Sequence, residues 1–260
     1  MHCFAFDIET IPDVEAGRLL WDLGDLSDDD VVTAMSFKRL QEAGTDFMPL
    51  HLHRVVAISV ALRTGDSFRV WSLGEADADE AEIVARFFDG IERFAPTLVS
   101  WNGSGFDLPV LHYRALLHGV VAQRYWETGD TERDYRYNNY LGRFHWRHID
   151  LMDVLSGYQV RARAGLDDIA VMLGFPGKLG MSGDKVWGAW QAGDRAGIRN
   201  YCETDVINTY LVYLRFECMR GRMSAADLER EYARVRQTLA ESGAPHFAEF
   251  LDAWQGAGGR

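Results

Sequence analysis

Residues 1–13 read MHCFAFDIETIPD, and this stretch decides the fold. Its apolar run leads into Asp7 and Glu9, a pattern that predicts a buried strand over residues 1–10, closed by residues 11–13. Side chains two positions apart on a strand share a face, here at the carboxyl end, where α/β sheets place their sites. A buried carboxylate is unfavourable without a compensating cation or donor, so the pair is a candidate for metal ligation. Because the chain has 39 acidic residues, such pairs also arise by chance.

Strand and helix patterns alternate along the rest of the chain. Residues 54–64 and 67–73 predict two antiparallel strands, because Gly65 and Asp66 between them form a hairpin signal. The other predicted elements are a helix that ends before Gly44, a helix over 78–94, a strand over 97–101, a helix over 106–117, a strand over 145–149, and helices over 196–216 and 225–240. This order predicts an α/β fold in which helices cover a mixed sheet.

Composition disfavours several classes of protein. The net charge of −12 would repel a long polyanion, so any contact with nucleic acid must be local. The longest apolar run, VVAISVAL from Val55, is far shorter than a membrane span, and the N-terminus lacks a basic export signal. Three cysteines without a C-x-x-C pair favour neither a disulfide framework nor zinc. We expect a cytoplasmic protein without a membrane segment. We also expect one domain over residues 1–260, with a core of about 1–216 and a C-terminal helical extension over 217–260.

The second candidate group lies in residues 99–109, VSWNGSGFDLP. Asn102 ends a predicted strand, two glycines permit a sharp turn, and Asp107 falls in the first turn of the next helix. An ordinary helix cap is the alternative explanation for Asp107, because Asp is favoured there. A cap does not, however, require the flexible turn together with the spacing of Asn102, Phe106 and Asp107.

The third candidate group is YCETD, residues 201–205, in a predicted helix. Tyr201 and Asp205 are four positions apart, so a phenol and a carboxylate share one face about 5–6 Å apart. Glu203 points elsewhere. As an isolated pair, a tyrosine and an aspartate at this spacing more often make a surface hydrogen bond than a site.

Together, and in this chain order, FDIET, NGSGFD and YCETD resemble the three motifs of the DEDD superfamily of 3′-5′ exonucleases, which have a ribonuclease-H-like fold. The chain resembles in particular the bacterial predicted exonucleases related to the proofreading domain of family B DNA polymerases. FDIETIP, HIDLMD over 148–153 and FPGK over 175–178 carry that similarity, which spans roughly residues 4–216. The histidine branch of the superfamily would have His at position 200. This chain has Asn200, and Tyr201 stands where the tyrosine branch has its tyrosine.

The resemblance implies a two-metal phosphodiesterase. Asp7, Glu9 and Asp205 would hold one divalent ion. Asp7 would bridge to a second ion near Asp107, and Tyr201 would position the attacking water. Four carboxylates without histidine or cysteine suit Mg²⁺ or Mn²⁺ better than Zn²⁺, and two such ions can supply the activated water, the charge clamp and help for the leaving oxygen. A phenol with a pKa near ~10 is a poor base at neutral pH, so we expect Tyr201 to orient the water.

The implied substrate is the 3′ end of single-stranded nucleic acid, with DNA favoured and RNA the alternative. Thr10, Asn102 and Phe106 are the substrate contacts expected from the motifs. Residues 135–148, YRYNNYLGRFHWRH, interleave aromatic and basic side chains as single-strand binding requires, with Arg143 as the candidate phosphate contact. A surface loop followed by a core strand is an equally good interpretation of this segment.

Three further residues have structural alternatives. Lys178 in GFPGKLG is a candidate contact for phosphate, but a turn between helices explains the segment at least as well, and its spacing is not that of a P-loop. Asp150 and Asp153 are more readily explained as capping and structural acids than as metal ligands.

The first functional hypothesis is therefore a metal-dependent 3′-5′ exonuclease. These 260 residues include no polymerase region, so any proofreading would have to be in trans, with a polymerase or helicase as a candidate partner. The second is a catalytically silent nucleic-acid-binding module of the same fold. The third is a metal-dependent phosphatase or nucleotidase, which would not need the aromatic and basic segment. Cleavage of end-labelled oligonucleotides with Mg²⁺ or Mn²⁺ separates them.

Overall fold

A computed structural model describes residues 2–256 of the chain. Met1 and residues 257–260, which belong to the predicted first strand and the predicted C-terminal extension, lie outside the described residues. The strands are β1 (His2–Pro12), β2 (His53–Thr64), β3 (Ser67–Ser72), β4 (Thr97–Ser100) and β5 (His148–Asp150). The helices are α1 (Val14–Trp21), α2 (Asp28–Ala43), α3 (Glu80–Phe94), α4 (Asp107–His118), α5 (Leu151–Leu155), α6 (Leu166–Met172), α7 (Val186–Gln191), α8 (Arg195–Met219), α9 (Ala225–Ser242) and α10 (Pro245–Gly256).

The five strands form one mixed sheet in the order β3-β2-β1-β4-β5. The hairpin partners β2 and β3 pair antiparallel, as does β1 with β2, whereas β1, β4 and β5 run parallel. Helices follow the parallel strands and cover the sheet, an arrangement consistent with a ribonuclease-H-like α/β fold. The predicted fold class is confirmed.

The alternation of residues along β1 divides the core between the two faces of the sheet. Phe4, Phe6 and Ile8 are buried in the cluster that includes residues of α3 and α4. Cys3 and Ala5 are buried on the other face, in the cluster that includes residues of α8, α9 and α10. Asp7 and Glu9 continue this second row, so the strand period directs both carboxylates to the side of the sheet that α8 covers.

Several sequence-based boundaries differ from the structure by two or three residues, and two of them lie near the predicted motifs. The first strand does not end at Thr10 but continues to Pro12, with a register shift between Glu9 and Thr10 where it pairs with β2. Such a bulge bends a strand and changes the direction of its side chains without ending the pairing. The last strand begins at His148 and not at position 145, because the preceding residues form a turn in which the His145 amide donates to the Gly142 carbonyl over 2.8 Å.

Two helices occupy the region for which the sequence predicts one. The side chain of Asp13 caps α1 by accepting from the Ala16 amide, and Ser27 caps α2 by accepting from the Asp30 amide. The predicted end before Gly44 is confirmed, since α2 stops there with this glycine at a φ of 69°.

The C-terminal helices pack back onto the sheet. Phe250 and Trp254 of α10 are buried with Tyr232 of α9 in the same cluster as the inner face of α8. This cluster also includes Phe175, whose ring lies 5.9 Å from that of Trp254. Across residues 2–256, no helix combines the length and the apolarity needed to cross a membrane.

Candidate active site

The site begins with the two carboxylates of β1. Glu9 is buried and Asp7 is partly exposed. One ligand atom from each of Asp7, Glu9 and Cys202 lies within 4.8 Å of the others. Cys202, on α8, donates to the Asp7 carbonyl oxygen over 3.4 Å and to its Oδ2 over 3.6 Å. Burial and the negative field of Asp7 raise the pKa of the Cys202 thiol, so it stays a neutral donor and not a thiolate ligand.

A tight turn after β4 brings Asp107 to the same place. Asn102 adopts a left-handed φ of 64°, and its carbonyl accepts from the amides of Gly105 and Phe106. Asp150 at the end of β5 holds this turn, because its carboxylate accepts from the amides of Asn102 and Ser104 at 3.0 and 2.9 Å. The turn therefore depends on the neighbouring strand, and it sets the start of α4 at Asp107.

Helix α8 supplies the third part of the site. Tyr201 and Asp205 are both buried, and burial, followed by the negative charge of Asp205, raises the pKa of the Tyr201 phenol well above its ordinary value. Burial raises the pKa of Asp205 to about 6, although a hydrogen bond from Tyr201 and the positive charge of Lys178 both act to lower it. The phenol therefore acts as a hydrogen-bond donor to Asp205 at neutral pH.

The four carboxylates repel one another. Burial and then the charges of Asp107, Glu9 and Asp205 raise the pKa of Asp7 well above its ordinary value. The pKa of Glu9 is raised in the same way, by burial and by the charges of Asp205 and Asp107. Burial raises the pKa of Asp107 to about 7. One buried oxygen of this group, Asp205 Oδ1, has no hydrogen-bond partner. A group of oxygen ligands with surplus negative charge and an unpartnered buried oxygen fits a hard divalent cation.

Lys178 reaches the same cluster from the loop before α7. Its positive charge partly opposes the effect of burial on the pKa values of Glu9 and Asp205. The Lys178 side chain is exposed at the mouth of the site. Its backbone amide donates to Asp167 Oδ1 over 2.7 Å. The loop is held to α8 by Asn208, which donates to the Gly177 carbonyl over 2.8 Å. These two hydrogen bonds hold the backbone of the loop that carries Lys178 near the carboxylates.

A cavity of about 620 Å³ opens beside Glu9. The structure brings the predicted contacts Thr10, Asn102 and Phe106 together in its wall. The Thr10 hydroxyl is paired with His53 Nδ1 over 2.9 Å, and the His53 ring packs on Phe106 with centroids 5.1 Å apart. The exposed ring of Phe47, which the sequence does not single out, completes this aromatic wall.

Arg143 lies in a different cavity, of about 380 Å³, on the other side of the turn that contains Ser104 and Gly105. It pairs with buried Asp153 over 3.0 Å.

The aromatic and basic segment is divided between core and surface: Tyr135 and Tyr140 are buried, whereas other rings of the segment are exposed. The exposed rings are Tyr137, Phe144 and Trp146. Asp150 and Asp153 have the structural roles expected of them, since Asp150 caps α5 and Asp153 pairs with arginines.

Sequence reasoning missed a polar chain that joins Asp7 to α10. Next to Cys202 lies the Ser59 hydroxyl, which donates to Ser72 over 2.9 Å. Ser72 donates to Glu203 over 2.7 Å, and Glu203 pairs with His246 over 2.8 Å. We call these groups, from Asp7 to His246, the polar chain. No spacing in the sequence indicates it, because the strand register sets Ser59 opposite both Asp7 and Ser72.

Fold and site together define a protein of the ribonuclease-H-like class. Residues 45–254 match the model of a family described as a predicted 3′-5′ exonuclease related to the exonuclease domain of PolB, and the chain belongs to this family. The matched region includes Asp107, Tyr201 and Asp205, while Asp7 and Glu9 precede it on the strand that pairs between β2 and β4. A comparison with curated protein sequences finds no match.

Proposed function

We propose that this protein is a metal-dependent 3′-5′ exonuclease that hydrolyses phosphodiester bonds at the 3′ end of single-stranded nucleic acid, with DNA favoured over RNA. The observation that carries the proposal is the convergence of four carboxylates from three separate segments beside a cavity. Mutual repulsion at this point lowers stability unless cations bind. A cavity of about 620 Å³ falls in the size range of small-ligand sites and can take one nucleotide.

The donor set suits two Mg²⁺ or Mn²⁺ ions. Asp7, Glu9 and Asp205 would hold one ion, and Asp7 with Asp107 would hold the second. When bound, such ions activate water and stabilise charge on the phosphate and the leaving oxygen. The unpartnered Asp205 Oδ1 supports this assignment, because a metal bond would satisfy an oxygen that the protein leaves alone.

Other residues bind and orient the reactants. Tyr201 lies beside Asp205, where its hydroxyl can hydrogen-bond the attacking water, and its raised pKa excludes it as a base at neutral pH. Lys178 faces the same carboxylates and can contact a phosphate oxygen. Thr10, Asn102 and Phe106 would hold the terminal nucleotide against the aromatic wall of the cavity.

Two parts of the proposal concern the setting of the enzyme. A polymerase or helicase would present the 3′ end in trans. A cytoplasmic location fits Cys3, Cys202 and Cys218, which are free thiols in the structure.

The decisive experiment incubates purified protein with Mg²⁺ or Mn²⁺ and oligonucleotides labelled at the 5′ end. We expect a ladder that shortens from the 3′ end, stops with EDTA and is hindered by a 3′-phosphate. Asp7→Asn and Asp205→Asn should each abolish cleavage, whereas Asp89→Asn, which changes an exposed acid of α3, should not. Cleavage by either active-site variant would contradict the metal assignment. Shortening from the 5′ end would contradict the polarity, and binding without cleavage would support the silent module instead.

A further inference from the structure

The turn that leads to Asp107 separates two cavities. One contains Glu9, Asn102 and Phe106 and would hold the terminal nucleotide. The other, of about 380 Å³, starts at Ser104 and Gly105 of the same turn. We propose that this second cavity, the upstream cavity, binds the nucleotide on the 5′ side of the scissile bond, with the planar base on an aromatic ring and a phosphate at its arginines. This inference rests on the proposed function.

The direction of the strand follows from the chemistry of displacement. In an in-line reaction the attacking water and the leaving 3′ oxygen lie on opposite sides of the phosphorus. Tyr201 and Asp205 lie on α8, which packs mainly on β1 and β2, whereas Asp107 follows β4, on the other side of β1 from β2. If Tyr201 orients the attacking water on its own side, the leaving oxygen and the upstream nucleotide lie on the opposite side, toward Asp107. The upstream cavity opens on that side.

A third cavity, of about 590 Å³, lies on the wrong side for this role. Its wall contains Tyr201 itself, together with Asn200 and Lys185. A strand leaving through it would have to pass the position of the attacking water. The order of the strands supports the same choice, because Asp107 follows β4, whereas β2 lies on the other side of β1.

The upstream cavity offers guanidinium donors to a phosphate. Two guanidinium groups, Arg143 and Arg163, and two buried carboxylates, Asp150 and Asp153, lie in the wall, and both arginines pair with Asp153, at 3.0 and 2.7 Å. The Arg143 side chain is 49% exposed, so it keeps donors free for a ligand. Arg163 Nε is buried without a hydrogen-bond partner. The nearby carboxylate of Asp150 is already satisfied by backbone amides of the turn.

The wall of the upstream cavity also offers a ring for stacking. Tyr158 lies in the wall, with the Arg143 guanidinium 5.2 Å from its ring centroid and the ring of Phe144 at 4.8 Å. Tyr158 has a φ of 62°, a conformation that a bulky residue adopts only when its surroundings enforce it. Its amide donates to the Asp153 carbonyl over 2.8 Å, which fixes the ring beside the two arginines. Aromatic faces next to guanidinium groups bind single-stranded nucleic acid.

The test compares a substrate that fills only the terminal site with substrates that reach both sites. The methyl ester of thymidine 5′-monophosphate has only a methyl group on the leaving oxygen, whereas oligothymidylates of two or more residues have an upstream nucleotide there. Arg143→Gln and Tyr158→Asn remove the phosphate contact and the ring, and Asn tolerates the left-handed backbone of position 158. Arg93→Gln is the control for loss of a positive charge, because Arg93 is exposed on α3 and is not part of the cavity wall.

We expect both variants to lower kcat/KM for oligonucleotides by about 5- to 150-fold, mainly through KM, and to leave hydrolysis of the ester unchanged. Binding of a labelled oligonucleotide in EDTA gives a readout without catalysis. There, Arg143→Gln should reduce the slope of log affinity against log salt by about 0.7, the value for one phosphate contact to a single strand. The Arg93→Gln control should change neither readout.

The result that would overturn the inference is an equal loss with the ester and the oligonucleotides, or unchanged oligonucleotide binding in both variants. A thermal melting curve of each variant shows whether that variant is folded. Because Tyr158→Asn and Arg143→Gln remove different groups, a folding defect in one variant leaves the other as a test. If the wild-type protein cleaves neither substrate, the proposed function fails. The binding measurements in EDTA still decide whether the upstream cavity holds nucleic acid.

Discussion

Asp107→Asn should make the metal-free protein more stable while it abolishes catalysis. Asp107 is 4% exposed and lies among carboxylates, and its pKa is raised from 3.8 to about 7, first of all by burial. Each tenfold change in an ionisation constant corresponds to about 1.4 kcal/mol, so ionised Asp107 costs the folded state about 4 kcal/mol near pH 8. The isosteric amide removes this penalty and keeps an oxygen that can accept from the Ile8 amide.

The sign of the pH dependence follows from the raised pKa. The folded state holds the proton on Asp107 more tightly than the unfolded chain does, so stability falls as the pH rises from about 4 to about 7. Above this window the destabilisation is complete. The advantage of Asp107→Asn should therefore be about 4 kcal/mol near pH 8 and under about 2 kcal/mol near pH 5.

Urea denaturation in EDTA measures this difference at both pH values, with Asp89→Asn as the control for loss of an exposed negative charge. Added Mg²⁺ should stabilise the wild-type protein more than the variant, because a ligand that binds only the folded state adds to its stability. The reasoning is refuted if Asp107→Asn is less stable than the wild-type protein in EDTA near pH 8, or if its advantage does not shrink on acidification.

Three further predictions address single groups. Tyr201→Phe should slow oligonucleotide hydrolysis by about 5- to 150-fold, because one orienting hydrogen bond contributes about 1–3 kcal/mol, whereas Asp7→Asn should have no measurable rate. Equal inactivity of the two variants at saturating Mn²⁺ would give the phenol a role in proton transfer. Gly103→Ala should cost about 1–3 kcal/mol in thermal unfolding, since the new Cβ would lie 2.2 Å from Ser100 Oγ, and an unchanged melting temperature would contradict the tight turn. Ser72→Ala, which interrupts the polar chain, should lower kcat a few-fold at unchanged KM and be rescued by Ser72→Thr; an unchanged kcat would show that the polar chain has no effect on Asp7.

Much of the fold could be predicted from local pattern. The alternation before Asp7 predicts β1, the Gly65 turn predicts the hairpin, and the apolar spacing between residues 78 and 94 predicts α3. These signals are strong because each element buries one face and obeys a single period. Helix α1 was missed because its sequence is only eight residues long and leaves Leu19 and Leu20 exposed.

The site was predictable only in part. The motif residues are recognised by their spacing, and the structure brings the four carboxylates and Tyr201 into one cluster. Three other features depend on which strands are neighbours. They are the bulge after Glu9, the support of the motif turn by Asp150, and the polar chain. The pairing of β1 with β4 brings Cys3 opposite Thr97, and the contact of Cys202 with Asp7 joins residues 195 positions apart; no local period encodes either.

The two faces of β1 explain how a helix can bring its carboxylate to a strand. On the face toward α3 and α4 the strand presents the large residues Phe4 and Phe6, and these fill the core. On the face toward α8 it presents Cys3 and Ala5, whose small side chains allow the helix to lie close. The close approach is visible in the contact of Cys202 Sγ with the Asp7 carbonyl oxygen at 3.4 Å. Small residues before the first motif are therefore part of the site, because they set the distance at which the last motif meets it.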